Sequence, residues 1–140
     1  MQAGERLGAL AGRWRTIRAI RHSDGTRARF AGLTEWRPDG RVLRCTEAGW
    51  LTQGGARFEA RRVTLWRAGP AGIEVTFADH RPFHVVGNGV RPAARHDCPP
   101  DVYALAYDFT GWPRWSVRWQ VAGPRKAYRA LTRYRPDARP

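Results

Sequence analysis

The sequence predicts an all-β protein, an up-and-down antiparallel barrel of about ten strands with a short N-terminal helix. Apolar and polar residues alternate with a period of two along most of the 140-residue chain, which is the spacing of strands with one buried face. Signals for tight turns recur about every ten residues, as they do in meandering all-β folds. Every connection is short enough for a hairpin, and closure into a barrel leaves few unpaired strand edges.

The predicted helix runs from Ala3 to Leu10. Leu7 and Leu10 lie three residues apart, so they share one helical face. A helix of two turns at this position is expected to plug one end of the barrel.

The first four predicted strands are separated by short runs of turn-forming residues. The strands run from Gly12 to Arg21, Thr26 to Arg37, Arg41 to Thr52 and Arg57 to Arg67. The turns between and after them are Ser23-Asp24-Gly25, Pro38-Asp39-Gly40, Gln53-Gly54-Gly55 and the segment from Ala68 to Gly72.

Six shorter strands are predicted in the second half of the chain. They run from Ile73 to Ala78, Phe83 to Val86, Val90 to His96, Val102 to Phe109, Trp115 to Val121 and Ala127 to Arg135. Asn88-Gly89 is a tight-turn signal of the same kind as those upstream. Cys98-Pro99-Pro100 and Gly123-Pro124 also break the pattern, because proline and glycine interrupt strands.

The composition predicts one globular domain over residues 1–140, with 42% hydrophobic residues. No apolar run approaches the roughly 20 residues that span a bilayer, and the N-terminus lacks the pattern of a signal peptide. We therefore expect a cytoplasmic protein without membrane association. The two cysteines, Cys45 and Cys98, are expected to be free thiols, with Cys45 on an apolar face.

The net charge of +13 comes almost wholly from arginine, because Lys126 is the only lysine. Strand alternation places most arginines on the outward face. We therefore expect the charge to form a lattice over the barrel. Nucleic-acid binding favours a basic track with exposed aromatic rings, so no nucleic-acid partner is predicted.

The inferred inner face mixes large aromatic rings with polar groups, including Arg62, Asp79 and Thr132. A barrel that only fills its interior would use Leu, Ile and Val, whereas a ligand pocket combines apolar walls with a few placed polar groups. The sequence favours a binding barrel for a small anionic ligand that is partly apolar or aromatic. A filled structural barrel, with an inward arginine paired to Asp79 or Glu47, is the alternative.

The candidate ligand-binding residues fall into two groups. Positive charge and hydrogen bonds are expected from Arg62, Arg81, His84, His96 and Lys126, because a guanidinium can donate two parallel bonds to a carboxylate. Apolar walls are expected from Trp66, Phe77, Tyr103, Trp119, Tyr128 and Tyr134.

Histidines in the middle of the chain leave three other functions open. An isomerase, cyclase or lyase would use His84 or His96 as an acid-base group with Tyr103 or Asp101. A haem-binding barrel would use one of the same histidines as the axial ligand. A metal site would need three or four converging ligands, and no metal ligand set is predicted. The cofactor and the existence of any catalysed reaction stay undetermined.

Two expectations concern the ends and the outside of the barrel. Arg133 or Arg135 is expected to lie over the ring of Trp14, which would close one barrel end. Trp50 and Trp112 are each expected either to form a contact between copies of the chain or to cap the barrel. The sequence leaves the oligomeric state open.

Three segments carry motifs that are distinctive in combination. They are Phe77-Ala-Asp-His-Arg-Pro-Phe-His84, His96-x-Cys98-x-x-Asp101-x-Tyr103, and Trp115-x-x-x-Trp119-x-Val121-x-Gly123-Pro124-Arg125-Lys126-x-Tyr128. Together they resemble the bacterial domain of unknown function family 6314, from Leu10-Ala-Gly-Arg-Trp14 to Thr132-Arg-Tyr134. The resemblance implies a calycin-like barrel, and lipocalin-like barrels begin with such a Gly-x-Trp. It implies no established activity.

Overall fold

The structure, a computed structural model, describes residues 2–137 and contains one helix and ten strands in that range. Helix α1 is Ala3–Leu10, with the predicted bounds. The strands are Gly12–His22 (β1), Arg27–Asp39 (β2), Val42–Gln53 (β3), Ala56–Gly69 (β4), Gly72–Phe77 (β5), Pro82–Gly87 (β6), Ala93–Cys98 (β7), Asp101–Asp108 (β8), Trp115–Ala122 (β9) and Ala127–Pro136 (β10).

The ten strands form one antiparallel sheet in the order β6-β5-β4-β3-β2-β1-β10-β9-β8-β7. Strands that follow one another in the chain are neighbours, and β1 pairs with β10 from Trp14 to His22. The end strands β6 and β7 approach each other, so the sheet curls into a nearly closed barrel. The predicted up-and-down barrel with a short N-terminal helix is confirmed.

Helix α1 plugs one end of the barrel. Leu10 is fully buried, and its carbonyl oxygen accepts a 2.8 Å hydrogen bond from Nε1 of Trp14. Arg6 is also buried, and its guanidinium donates to the carbonyl oxygens of Gly87, the last residue of β6, and Gly89. The same guanidinium lies 4.0 Å from the ring centroid of Phe109, which follows β8, so one side chain connects the helix to the ends of β6 and β8.

The expected contact of Trp14 with Arg133 or Arg135 is wrong. In the β1–β10 ladder those arginines are opposite Ile17 and Arg15, whose side chains are exposed, whereas Trp14 is buried. Successive side chains of a strand point to opposite faces, so these arginines lie outside the wall.

Trp112 caps the barrel end, which is one of the two roles that the sequence analysis considered for it. Its ring is half-buried, with its centroid 5.4 Å from that of Trp14. Trp50 is 40% exposed on the outer wall, with the guanidinium of Arg57 4.0 Å above its ring.

The inner face is polar as well as aromatic, as the alternation predicts. Thr16 and Thr34 are fully buried, and their hydroxyl groups form a 2.6 Å hydrogen bond. Asp79 does not lie on the inner face, where the sequence predicted it. Strand β5 ends at Phe77, so Asp79 lies in the following turn, where its side chain is exposed and pairs with Arg81 at 2.7 Å.

Strand β7 begins three residues later than predicted. The segment before it still joins the sheet, since Phe109 and Tyr107 donate backbone hydrogen bonds to the carbonyl oxygens of Val90 and Pro92. Cys45 is buried and Cys98 is exposed, both as free thiols, as expected. No helix within residues 2–137 is long and apolar enough to cross a membrane.

Candidate functional site inside the barrel

Three charged side chains, Arg18 on β1, Glu47 on β3 and Arg62 on β4, form an interior triad. Arg18 donates from Nη1 and Nη2 to the two carboxylate oxygens of Glu47 at 2.8 and 2.6 Å. Its Nε donates to Oγ1 of Thr132 at 2.7 Å. Arg62 approaches from the next strand, with Nη2 3.7 Å from Oε2 of Glu47. One carboxylate therefore faces two guanidinium groups, which leaves the interior triad with an excess of positive charge.

The two arginines of the triad differ in how firmly they are held. The side chains of Arg18 and Glu47 are only 12% and 8% exposed, and their bidentate geometry is the strongest form of this pairing. Arg62 makes one longer contact and is 44% exposed. Its guanidinium carbon lies 4.9 Å from the ring centroid of Trp119, within range of a cation–π interaction. Arg62 therefore keeps donors that a ligand can reach.

The triad keeps Glu47 ionised despite its burial. Burial alone would raise the pKa of this carboxyl group. The hydrogen bonds from Arg18 and the positive charges of Arg62 and Arg18 outweigh burial and hold the pKa of Glu47 below its ordinary value.

A buried histidine–tyrosine pair lies on the other side of the barrel interior. Nε2 of His84 on β6 is 2.7 Å from the phenolic oxygen of Tyr107 on β8. Burial, and then the nearby positive charges of His96 and Arg62, lower the pKa of His84 to about 3. Burial also raises the pKa of Tyr107 well above its ordinary value. The pair is therefore neutral at physiological pH.

Two members of the triad, Glu47 and Arg62, and the His84–Tyr107 pair line one interior cavity. Its volume is about 30 Å³, room for a water-sized group. Its lining residues are Trp36, Cys45, Glu47, Arg62, Thr64, Trp66, Val75, Phe83, His84, Tyr107, Trp115, Val117, Trp119 and Tyr134.

Three of the side chains that line this cavity carry a buried nitrogen without a hydrogen-bond partner among the described residues. These nitrogens are Nε1 of Trp36, Nε1 of Trp115 and Nδ1 of His84. An indole nitrogen only donates, and Nδ1 of His84 is also a donor when Nε2 accepts from Tyr107. A buried polar group without a partner is costly. The cavity therefore suits a group that accepts hydrogen bonds.

An aromatic cluster around Phe83 lies beside the cavity. The ring centroid of Phe83 is 4.7 Å from that of Phe77, 5.2 Å from that of His96 and 5.4 Å from that of Trp119. Tyr103 joins the cluster through His96, at 5.7 Å. The ring of His84 also contacts that of Phe83, with centroids 4.4 Å apart, so both histidines pack against Phe83.

The sequence-predicted site residues occupy three places. Those that line the cavity are Arg62, Trp66, His84, Trp119 and Tyr134. Those in the Phe83 cluster are Phe77, His96 and Tyr103.

The other three lie apart from the cavity. Arg81 is exposed in the β5–β6 turn and pairs with Asp79. Lys126 is exposed, with Nζ 3.7 Å from Asp101 and 3.5 Å from the hydroxyl group of Tyr103. Tyr128 is half-buried against the ring of His22 at 5.8 Å.

Sequence reasoning missed Arg18, Trp36, Tyr107 and Trp115 as site residues. Alternation could have identified Arg18, because it follows Trp14 and Thr16 by even steps along β1 and therefore shares their inward face. Glu47 was foreseen only as one of two partners for an inward arginine, and the structure pairs it with both Arg18 and Arg62.

The geometry does not favour the acid-base alternative for His84, whereas His96 is the register partner of Tyr103, with ring centroids 5.7 Å apart. His84 is bonded to Tyr107 rather than to Tyr103 or Asp101, and a pKa of about 3 makes it a poor proton carrier near neutral pH. Of the two histidines considered as haem ligands, His84 bonds Tyr107 through Nε2, and the ring of His96 packs against that of Phe83. Within residues 2–137 no group of three or more His, Cys, Asp and Glu side chains could hold a metal ion.

The burial of His84 predicts a specific pH dependence of stability. The unfolded chain binds a proton on this histidine below its ordinary pKa of about 6.5, whereas the folded chain does so only near pH 3. Stability is therefore lost as the pH falls. We expect His84 to account for about 2 to 3 kcal/mol of the loss between about pH 7 and pH 4.5.

Urea unfolding at a series of pH values would measure this effect. The His84→Gln variant should lose that part of the slope, even if its stability at pH 7 is lower. His80→Asn is the matched control, because His80 is exposed with φ 72°, a conformation that Asn tolerates. An unchanged slope in His84→Gln would show that His84 does not titrate in this way.

The comparisons with known proteins concern the fold and the family. A solved S-type phycobiliprotein lyase from Guillardia theta is similar in structure, with a TM-score of 0.65 and 7% sequence identity. The match covers 100% of this chain and 95% of that one, and at this identity it shows a shared fold alone. None of the curated proteins matches the sequence. The sequence model of the family of unknown function DUF6314 matches residues 10–136. Because that match spans most of the chain, the protein belongs to the DUF6314 family.

Proposed function

We propose that the protein binds a small anionic ligand, partly aromatic or apolar, at the open side of the interior cavity, with Arg62 as its anchor. One observation carries the proposal. Arg62 both lines the cavity and is 44% exposed, while Arg18 already neutralises Glu47 with two short bonds. A ligand carboxylate at Arg62 would balance the spare charge of the interior triad.

The surroundings of Arg62 supply the rest of such a site. Trp119 presents a ring to the guanidinium of Arg62, and the Phe83 cluster continues the apolar wall. A ligand that moves Arg62 aside would also reach the nitrogens of Trp36, Trp115 and His84 that have no partner in the described chain. Apolar walls with a few converging polar groups are the usual composition of small-molecule sites.

The remaining predicted residues would act at the rim of this site. Arg81 and Lys126 would draw anions toward the barrel, since exposed charges mainly affect the association rate. Tyr128 and His96 would contact the part of the ligand that projects from the cavity. The barrel shared with a phycobiliprotein lyase is consistent with a small-molecule ligand such as a bilin, which carries carboxylates on a conjugated chain.

The first test uses a pair of fluorescent probes that differ in charge. Anilinonaphthalene sulfonate is anionic, and phenyl-naphthylamine is its neutral counterpart. We expect Arg62→Gln to weaken binding of the anionic probe about tenfold or more, because a charge-assisted bond contributes about 1.5 to 3 kcal/mol. Binding of the neutral probe should change less than about twofold.

Arg61→Gln is the matched control, because Arg61 is the neighbouring exposed residue on the outer face of β4. It removes the same charge and should leave both affinities unchanged. Equal losses in the two variants would assign anion binding to the surface charge and overturn the proposed site. Biliverdin, which carries two carboxylates, should displace the anionic probe from the wild type and fail to do so from Arg62→Gln.

A further inference from the structure

The outer wall formed by β1, β10 and β9 carries seven exposed arginines and no acidic residue on any of the three strands. We call it the arginine face, and its arginines are Arg13, Arg15, Arg21, Arg118, Arg129, Arg133 and Arg135. The sequence predicted a lattice of charge over the barrel without a cluster, and this wall departs from that prediction.

The part of the sheet from β2 to β5 shows that this arrangement is not general. Its arginines are interspersed with carboxylates, which form the surface ion pairs Arg37–Glu35, Arg44–Asp39 and Arg67–Glu74. On the arginine face, only Arg13 has a carboxylate within ion-pair distance among the described residues, 3.9 Å from Asp137.

Two pairs of arginines on the arginine face oppose each other directly across the β1–β10 ladder. Arg15 is the register partner of Arg135, and Arg21 is the register partner of Arg129. Opposed residues of adjacent strands have Cα atoms about 5 Å apart, and like charges at such positions destabilise a sheet. An anionic partner on this wall would lower the repulsion within both pairs.

The two arginine pairs lie at opposite ends of an apolar stripe. Ile17 is 44% exposed, and Ala19 and Leu131 are opposed to each other in the same ladder. The six steps along the strand from Arg15 to Arg21 span about 20 Å, which equals about 13 residues of α-helix.

A groove lies at each end of the stripe. One, of about 450 Å³, has Arg15, Arg114, Arg133 and Arg135 in its lining. The other, of about 840 Å³, has Arg21, Arg27, Arg118 and Arg129 in its lining. Of the described residues, only Asp108 contributes a carboxylate to either lining, and Thr110 donates to that carboxylate from its backbone and its hydroxyl group.

We propose that the arginine face docks an acidic amphipathic helix of a partner protein, with its apolar side on Ile17, Ala19 and Leu131. Carboxylates near both ends of the helix would meet the two arginine pairs. The face offers no exposed aromatic ring on β1, β9 or β10 on which a base could stack, and the apolar stripe interrupts any track for a phosphate backbone. A second copy of the chain would present the same positive charge.

The binding test uses a labelled synthetic helical peptide with glutamates at both ends of a leucine stripe, and a scrambled peptide of the same composition. Fluorescence anisotropy should show tighter binding of the ordered peptide. The double variant Arg15→Gln with Arg135→Gln should weaken that binding about tenfold. Ile17→Asp should abolish the preference for the ordered peptide.

The matched control is Arg41→Gln with Arg61→Gln, which removes two exposed charges away from the arginine face. It should change the affinity less than about twofold. An equal loss in the control, or equal binding of the scrambled peptide, would overturn the proposal. A single-stranded oligonucleotide or phosphatidylserine vesicles that bind more tightly than the peptide through Arg15 and Arg135 would also overturn it, in favour of another partner class.

Thermal unfolding supplies an independent readout. Because opposed like charges are costly, the Arg15→Gln with Arg135→Gln variant should unfold at a higher temperature than the wild type while binding the peptide less well. Such opposite effects on stability and binding are expected of a surface that is kept for binding although it destabilises the fold. A lower unfolding temperature in this variant would contradict the inferred repulsion.

Discussion

The Glu47→Gln variant is expected to lose about 3 to 5 kcal/mol of unfolding free energy, because it leaves two guanidinium groups in the barrel without their carboxylate. Arg18 is 12% exposed and cannot recover its solvation by a small movement. Glutamine fills the same volume, so the loss reports the charge and not a packing defect. Chemical denaturation at neutral pH measures it.

A surface ion pair gives the matched control for Glu47. Glu35 pairs with Arg37 at 3.2 Å, with side chains that are 37% and 72% exposed, and Glu35→Gln should cost no more than about 1 kcal/mol. Replacing both members of the buried pair, as Arg18→Met with Glu47→Leu, should recover most of the loss. A similar cost for Glu47→Gln and Glu35→Gln would show that the interior triad contributes little to folding.

The stability that Glu47 supplies should also depend on pH in a definite direction. Its pKa is lowered in the folded state, so its contribution is complete above the ordinary carboxyl pKa of about 4.3 and is lost as the pH falls through the folded value. The wild type and Glu47→Gln should therefore converge in stability at strongly acidic pH.

The fold followed from local signals, and much of the barrel interior followed from alternation. The turn sequence Ser23-Asp24-Gly25 lies between β1 and β2, as expected because glycine and aspartate favour tight turns. Alternation along β4 puts Arg62 on the same side as Trp66, and both line the cavity. Alternation predicted the wrong side for Asp79, because β5 ends at Phe77 and side chains do not alternate between two faces in the turn that follows.

The partners of the site residues depend on contacts across the barrel, which local patterns do not encode. A register shift lies between Val75 and Thr76 on β5, and Phe83 and His84, consecutive residues of β6, are both buried. Tyr107 reaches His84 across the seam where the barrel closes. The pairing of Arg18 with Glu47 likewise depends on the register of three strands.

Two glycines allow β2 and β3 to pair in that register. Replacing one of them is expected to have the second large effect on stability. Gly32 on β2 and Gly49 on β3 are register partners. A Cβ on Gly32 would overlap the carbonyl oxygen of Ala48 and lie 2.7 Å from the Cα of Gly49. A Cβ on Gly49 would overlap the carbonyl oxygen of Ala31 in the same way. These neighbours are backbone atoms, so a side chain can be accommodated only if the strands separate.

The same two glycines also clear the route by which Arg18 reaches Glu47. Arg18 is opposite Phe30, and Glu47 is opposite Thr34, so the row of Gly32 and Gly49 lies between them on the inner face. The guanidinium nevertheless approaches the carboxylate to 2.6 Å. Side chains in the intervening row would occupy the space that the arginine crosses.

We therefore expect Gly49→Ala to cost about 3 kcal/mol of unfolding free energy, from strand separation and from a weakened triad. Gly8→Ala is the matched control, because Gly8 lies in α1 with nothing within 4 Å of its added Cβ, and there the change should stabilise by about 0.5 to 1 kcal/mol. The weakened triad can be measured separately from the strand separation. If Gly49→Ala already weakens the triad, then combining it with Glu47→Gln should cost less than the sum of the two single losses. Additive losses would assign the whole effect of Gly49 to the strand backbone.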